Sequence, residues 1–318
     1  MTKLCSSNPL QRTALAVALT LGVLSVSGCG DDKQAPAVDT RTAAQKKADE
    51  VYNPTPEQKA QQAAERQARI DADKPHKVEF TDPGMGSDAD YTDIGQTMVA
   101  FKIYNARRDW QESADDVADS SAVILNYKGV DPRLLDLEKK RKGTADGFEK
   151  ADIAKEITGI VSEISEPFKN TQWVKVTLAS DFIGLKSYDF TLKGFKVGEE
   201  FFTDKVGLTD LDKSNMAYGN QSKIAPPKAT ISNLPLHYNF GFVNATDDTL
   251  IKVEDEQLAR KIEAARPTAK IEIYGFVQSV QRTRINGADQ KDRYVYIQPQ
   301  RIDIQDGQTG EVLLSHTL

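Results

Sequence analysis

"DGFEKADIAKEITGIVSEISEPFKNTQWVKVTLA", residues 146–179, changes its hydrophobic period once, and that change decides the fold. Ile153, Ile157, Ile160, Val161 and Ile164 fall at i, i+4, i+7, i+8 and i+11, a spacing that gathers apolar side chains on one face of an α-helix. Pro167 lacks an amide donor and closes that helix. Beyond it Val174, Val176 and Leu178 alternate with Trp173, Lys175 and Thr177, the period of a half-buried strand.

The two periods extend in opposite directions along the chain. Upstream, "DYTDIGQTMVAFKIYNARRDW" (residues 90–110) predicts a helix with Ile94, Met98, Phe101 and Tyr104 or Asn105 near one face, capped by Asp90 or Thr92. Downstream, Tyr188, Phe190 and Leu192 alternate until Gly194, and Phe195 and Val197 continue on the other parity, which predicts a bulge or bend at the glycine. Further strands are expected at residues 229–232, 236–243, 271–280 and 312–314. A hairpin is expected to turn at Asn286-Gly287 and return along residues 294–304. Within the return strand Pro299 separates odd-parity Val295 and Ile297 from even-parity Ile302 and Ile304, so residues 298–300 form a bulge or lie on an edge. One helix interrupts the strands, with Leu258, Ile262 and Ala265 on its face and Pro267 behind it. Helices first and turn-linked strands after predict an α+β domain over residues 77–318, helical at 90–166 and β-rich at 171–318, with a mainly antiparallel sheet. A β-sandwich with helical decoration is the alternative.

The amino-terminal region is of another kind. Lys3 and Arg12 precede the 13-residue apolar run Ala14–Val26, small residues follow, and no acid occurs before Asp31. Those three zones describe a secretory signal over residues 1–28. At about 1.5 Å per residue the run is too short for a permanent membrane span of ~30 Å. Val26-Ser27-Gly28-Cys29 resembles the lipobox of bacterial lipoproteins, with Val26 where Leu is commonest. The resemblance implies cleavage between Gly28 and Cys29, a diacylglyceryl group on the Cys29 thiol and a further acyl chain such as palmitate on the new amino terminus. Gly30 after that cysteine, in place of Asp, implies the outer membrane facing the periplasm. Several acyl chains hold almost permanently, since each buried methylene contributes about 0.8 kcal/mol.

Residues 29–76 read as a polar tether. Thr55, Pro56 and Gln58 make a good helix start, but the residues after them are Ala, Gln, Glu, Lys and Arg with Ile70 alone as a large apolar residue, so the helix has propensity and little to bury. A partner-binding or coiled-coil segment is the competing reading.

Composition narrows the chemistry. Removal of residues 1–28, which hold two of the 41 Lys and Arg and none of the 47 Asp and Glu, leaves 290 residues with a net charge of −8. An acidic protein gains nothing from phosphate backbones, so no nucleic-acid partner is expected. With Cys5 removed and Cys29 acylated, thiol catalysis, disulfides and cysteine-bound metal are excluded. His76, His237 and His316 lack any metal-ligand spacing. "DLDKSN" (Asp210–Asn215) begins like a calcium loop, but Asn215 replaces the sixth-position glycine and Gln221 the bidentate glutamate. No nucleophile elbow or phosphate-cradling glycine loop occurs, and "PGMG" (Pro83–Gly86) reads as the turn into the first helix. No metal or cofactor is expected.

Three features remain. Asp115, Asp116 and Asp119 form an acidic face that reads as solvated. "EKKRKG" (Glu138–Gly143) is a basic run that reads as a solvated loop or as a contact for anionic lipid or an envelope polymer. Aromatic residues crowd the strands, and Tyr274 and Phe276 sit on the parity opposite Ile271, Ile273 and Val277, so both sheet faces are expected to be covered, the alternative being one face that displays aromatics for a ligand. Leu185–Phe190, the later Gly194-Phe195 and the Ile271–Val277 strand resemble uncharacterised bacterial envelope proteins, a resemblance that implies no activity. The expected function is a non-catalytic, lipid-anchored envelope protein that binds a protein or envelope component. A small-ligand or lipid carrier and a carboxylate-based cell-wall hydrolase are the alternatives.

Overall fold

The computed structural model describes residues 42–45, 55–122, 127–205, 210–219, 228–245 and 249–318. The signal segment, Gly28 and Cys29 lie outside them. One compact unit runs from Gln61 to Leu318. The protein is α+β with a mainly antiparallel sheet. Among the described residues no helix is long and apolar enough to cross a membrane.

The spine of the sheet is a single long hairpin. Strands β9 (Lys270–Ile285) and β10 (Ala288–Gln305) pair antiparallel over nearly their whole length. Asn286 and Gly287 turn the chain with φ of 51° and 75°, the left-handed pair that a tight hairpin needs. Along the outer edge of β9 lie β3 (Trp173–Ala179) and β1 (His76–Glu79), one after the other. Along the outer edge of β10 lie β7 (Tyr238–Phe242), which runs parallel to it, and β11 (Val312–Thr317). Short β2 (Thr92–Asp93) extends the sheet beside β3, and β6 (Ile231–Asn233) beside β7.

The Pro299 bulge is real, and the edge alternative is not. Gly275 pairs with Pro299 and Tyr274 with Arg301, so Gln300 is the extra residue of a central strand. Proline is tolerated there because β7 has ended at Phe242, opposite Ile297, and β11 reaches back only to Arg301, opposite Thr317.

Helices cover one face of this sheet. α2 (Val99–Arg107) packs on β7, β9 and β10 and against α5 (Gly147–Ser165), and α3 (Ala114–Ser120) and α4 (Pro132–Gly143) pack in turn on α5. α5 follows its apolar period: Asp146 accepts from the amides of Phe148 and Glu149, and Ile153, Ile157, Ile160 and Val161 are buried. Their partners on the sheet include Val174, Val176, Ile271, Ile273, Phe240 and Ile302, in one continuous core. Each fully buried side chain of this size contributes about 1.5–3 kcal/mol.

The opposite face is covered too. The segment before β2 crosses it, where the Trp173 indole donates to the Gly84 carbonyl at 2.8 Å and the Tyr91 ring meets Tyr274 edge-on at 4.9 Å. Tyr274 and Phe276 are buried. Pro83–Gly86 therefore leads across the sheet into β2 and not into a helix.

Two expected elements are corrected. The helix predicted from residue 90 starts only at Val99, because Thr92 and Asp93 pair with β3 and the Asp93 carboxylate accepts from the Gly95 amide to turn the chain. Asp90 instead holds the Ser87 amide and hydroxyl, and Ile94 reaches the core from outside the helix. The strand read through residues 188–197 is a hairpin, β4 (Tyr188–Asp189) with β5 (Gly194–Lys196). The Asp189 carboxylate accepts from the amides of Thr191 and Leu192, and this local turn overrides the alternation and leaves Phe190 outside. Beyond the one-turn helix α6 (Glu199–Phe202) and α7 (Asp210–Ala217), β8 (Leu250–Lys252) joins these strands in a second, three-stranded sheet beside α8 (Glu256–Ala265).

The polar helix α1 (Pro56–Ala72) starts as its sequence predicts. Thr55 and Gln58 exchange hydrogen bonds, amide to side chain in both directions, and no residue of the helix is buried.

Candidate functional site

Two arginines interrupt the apolar face of the spine. Arg282 and Arg293 are cross-strand partners and share the parity of Val280 and Val295, so the pleat drives both guanidinium groups into the helical layer. Both side chains are almost fully buried, and a buried charge must be paired. The loop between α2 and α3 supplies the partner. Glu112, with no side-chain exposure, accepts from Arg293 Nη2 at 2.6 Å and Nε at 3.1 Å, and from the Tyr104 hydroxyl at 2.6 Å. Arg282 donates through Nη2 to Asp116 of α3 at 3.1 Å and through Nε to the Gln290 carbonyl at 2.7 Å.

Electrostatics follow from this pairing. Burial alone would raise the Glu112 carboxyl; the hydrogen bonds and charge of Arg293 outweigh it and hold the group below its ordinary range. Asp116 is held low in the same way by Arg282. Burial and then the Glu112 carboxylate push the Tyr104 phenol far above its ordinary value. Tyr238 closes the cluster: its ring packs on Phe101 at 4.7 Å and on Tyr104 at 5.4 Å, and its hydroxyl lies 2.9 Å from Ser120 Oγ.

Above this floor opens a cleft of about 300 Å³. The basic run Glu138–Gly143 forms one wall, and it is not a loop. Asp131 caps the amide of Arg133, Pro132 occupies the first turn, and Lys140, Arg141 and Lys142 fill the last turn of α4, where cations complement the helix dipole. Arg141 pairs with Asp119 and, at 3.0 Å, with Asp115, while Lys142 pairs with Glu138. The acidic trio Asp115, Asp116 and Asp119 is thus engaged by arginines, not simply solvated. His237 completes the rim with Nδ1 3.1 Å from Asp292.

A second depression, of about 570 Å³, separates the β4–β5 hairpin from α8. Tyr188 and Phe190 form an edge-on aromatic corner at 5.1 Å, and Ala259 and Ala264 line the helix side. Glu263 receives the Tyr188 amide and Val253 the Tyr188 hydroxyl, which fixes the corner. Phe190 is 80% exposed.

The structure scatters the remaining candidates. His76 stacks on Trp110 and lies 3.2 Å from Asp289, while His316 sits on β11 opposite Ile302. No group of three metal-ligating side chains occurs among the described residues. Asp210–Asn215 lies within a helix, α7 (Asp210–Ala217), and Gln221 lies outside the described residues. Sequence reading passed over Glu112, Arg282 and Arg293; the available signal was an arginine on the apolar parity of each strand of the hairpin. Compared with known proteins, the chain matches no family model, no curated sequence and no solved structure.

Proposed function

We propose that this chain is a non-catalytic binding protein of the bacterial envelope, held by acyl chains on Cys29 and presenting the Arg282–Arg293 cleft to an envelope component. The cleft carries the reading. Each carboxylate lining it is already neutralised: Asp116 by Arg282, Asp119 by Arg141 and Glu138 by Lys142. Acid–base hydrolysis of a glycan requires one carboxyl group raised towards neutrality and one kept ionised. The carboxyl groups of Glu112 and Asp116 are both held low and neither is raised, which favours binding over the hydrolase alternative.

The test is a photo-crosslinking residue at Lys142, irradiated in intact cells and followed by mass spectrometry. Reproducible capture of one envelope component supports the reading, and capture no different from a probe at exposed Lys155 of α5 removes it. For the anchor, Cys29→Ser is expected to abolish membrane retention on fractionation.

A second reading, a carrier of a small apolar ligand, is favoured by the aromatic corner of Tyr188 and Phe190, whose volume suits such ligands. A melting temperature that rises with an apolar ligand in the wild type but not in Phe190→Ser would select it.

A further inference from the structure

Among the described residues β11 pairs with β10 alone, and its other side is an open sheet edge. The Leu318 amide donates to the Gln300 carbonyl at 2.9 Å, and the register sets Arg301 opposite Thr317, Ile302 opposite His316 and Asp303 opposite Ser315. Antiparallel partners alternate between hydrogen-bonded and non-hydrogen-bonded pairs. Gln300 with Leu318 and Ile302 with His316 are therefore the bonded pairs, and the amides and carbonyls of Ser315 and Thr317 point away from β10. Both residues are exposed.

An open edge is a template for another strand, and proteins blunt such edges with charge, proline or brevity. Three edge strands of this sheet carry those devices. β2 and β6 are two and three residues long, and β1 is four residues long with Lys77 and Glu79 on it. β11 runs for six residues, Val312 to Thr317, without a proline, a lysine, an arginine or an acid. It is the undefended edge.

We propose that β11 is a self-association edge, on which a second copy of this chain pairs its own β11 antiparallel about a two-fold axis at His316. Ser315 and Thr317 of one copy then exchange amide-to-carbonyl bonds with Thr317 and Ser315 of the other. Leu314 of each copy faces Leu318 of the other. Both leucines are half-buried against the core, so the apolar layer continues across the axis. The choice of a second copy over a foreign strand rests on this two-fold match. One strand supplies outward donors and acceptors in equal number, leucines at symmetry-related positions and no acid or base to repel its copy. The pairing uses no residue of the cleft or of the Tyr188–Phe190 corner, so it stands or falls apart from the function proposed above.

The experiment is sedimentation of the purified full chain in mild detergent over a range of concentrations, with two variants. The wild type is expected to form a concentration-dependent dimer. Thr317→Pro removes one outward amide from each copy and leaves the bonds between β10 and β11 in place, so it should weaken the dimer about tenfold with an unchanged circular dichroism spectrum. His316→Cys sets two thiols opposite each other in a non-hydrogen-bonded pair, with Cβ atoms about 4.5 Å apart and within disulfide reach. Mild oxidation should join position 316 of the two copies, and peptide mapping separates that link from any through Cys5 or Cys29. A chain that stays monomeric at every concentration, or a dimer that a folded Thr317→Pro leaves at full strength, overturns the proposal. Should Thr317→Pro fail to fold, the disulfide decides, and its absence overturns the pairing. Oxidation of His316→Cys in intact cells that links it to a different protein also overturns the proposal, by giving the edge to a foreign strand.

Discussion

Arg293 and Glu112 stand 181 residues apart in the chain and 2.6 Å apart in the fold. The pair joins the loop between α2 and α3 to the turn end of the hairpin, and neither side chain has access to water that could replace the other.

Glu112→Ala therefore leaves two buried guanidinium groups short of a counter-ion. Removal of one partner from a buried pair costs about 3–5 kcal/mol. Urea denaturation followed by circular dichroism is expected to show a loss in that range, with Glu112→Gln losing less because it keeps an acceptor for Arg293.

The same pair sets a pH dependence. The folded Glu112 carboxyl lies below its unfolded value of about 4.3, so the unfolded chain binds the proton more readily. Its stabilising contribution is complete above that value and is lost as the pH falls through the depressed folded value. The urea midpoint should decline on acidification below about pH 5, and Glu112→Gln should flatten that decline.

Gly275 faces the Pro299 bulge with no room for a side chain. A Cβ there would lie 2.3 Å from the Gln298 carbonyl oxygen and 2.8 Å from Ile297 Cγ2. Gly275→Ala is expected to cost about 1–3 kcal/mol, read as a lower melting temperature. Gly147→Ala, at the exposed start of α5 where nothing lies within 4 Å, is the control and should cost nothing.

Phe190 is apolar without being structural. Its ring stands in the turn between β4 and β5, outside the core, so Phe190→Ser should hold the denaturation midpoint within about 0.5 kcal/mol of wild type. A larger loss would place the ring in the core after all.

The architecture was legible wherever one period ran long enough to outvote local chemistry. The isoleucines of α5, the Asn286-Gly287 turn and the parity slip at Pro299 each stand in the structure where the sequence put them. The failures have a shared cause, in that a side chain bound its own backbone. Asp189 bent an alternating run into a turn, and Asp93 broke a helical one before Val99. The cleft was half visible. The cationic run of α4 was conspicuous in the sequence, but its opposite wall was not, because charged residues on a strand read as solvent-facing unless the parity of Val280 and Val295 is carried through to Arg282 and Arg293. Glu112 gave no local signal, since its meaning depends on a strand that lies far along the chain.

The spine hairpin also fixes an order of events. Synthesis delivers the four helices of the covering layer by residue 165, whereas the two central strands of their sheet do not begin until residue 270. Throughout that interval the apolar flank of α5 lacks most of its floor, and such surfaces aggregate. Once Asn286 and Gly287 emerge, however, the two central strands meet through a local closure of short range, and the waiting helices find their platform in a single step. A nascent chain cut short before residue 270 should accordingly be held by chaperones, and one extended past residue 305 released.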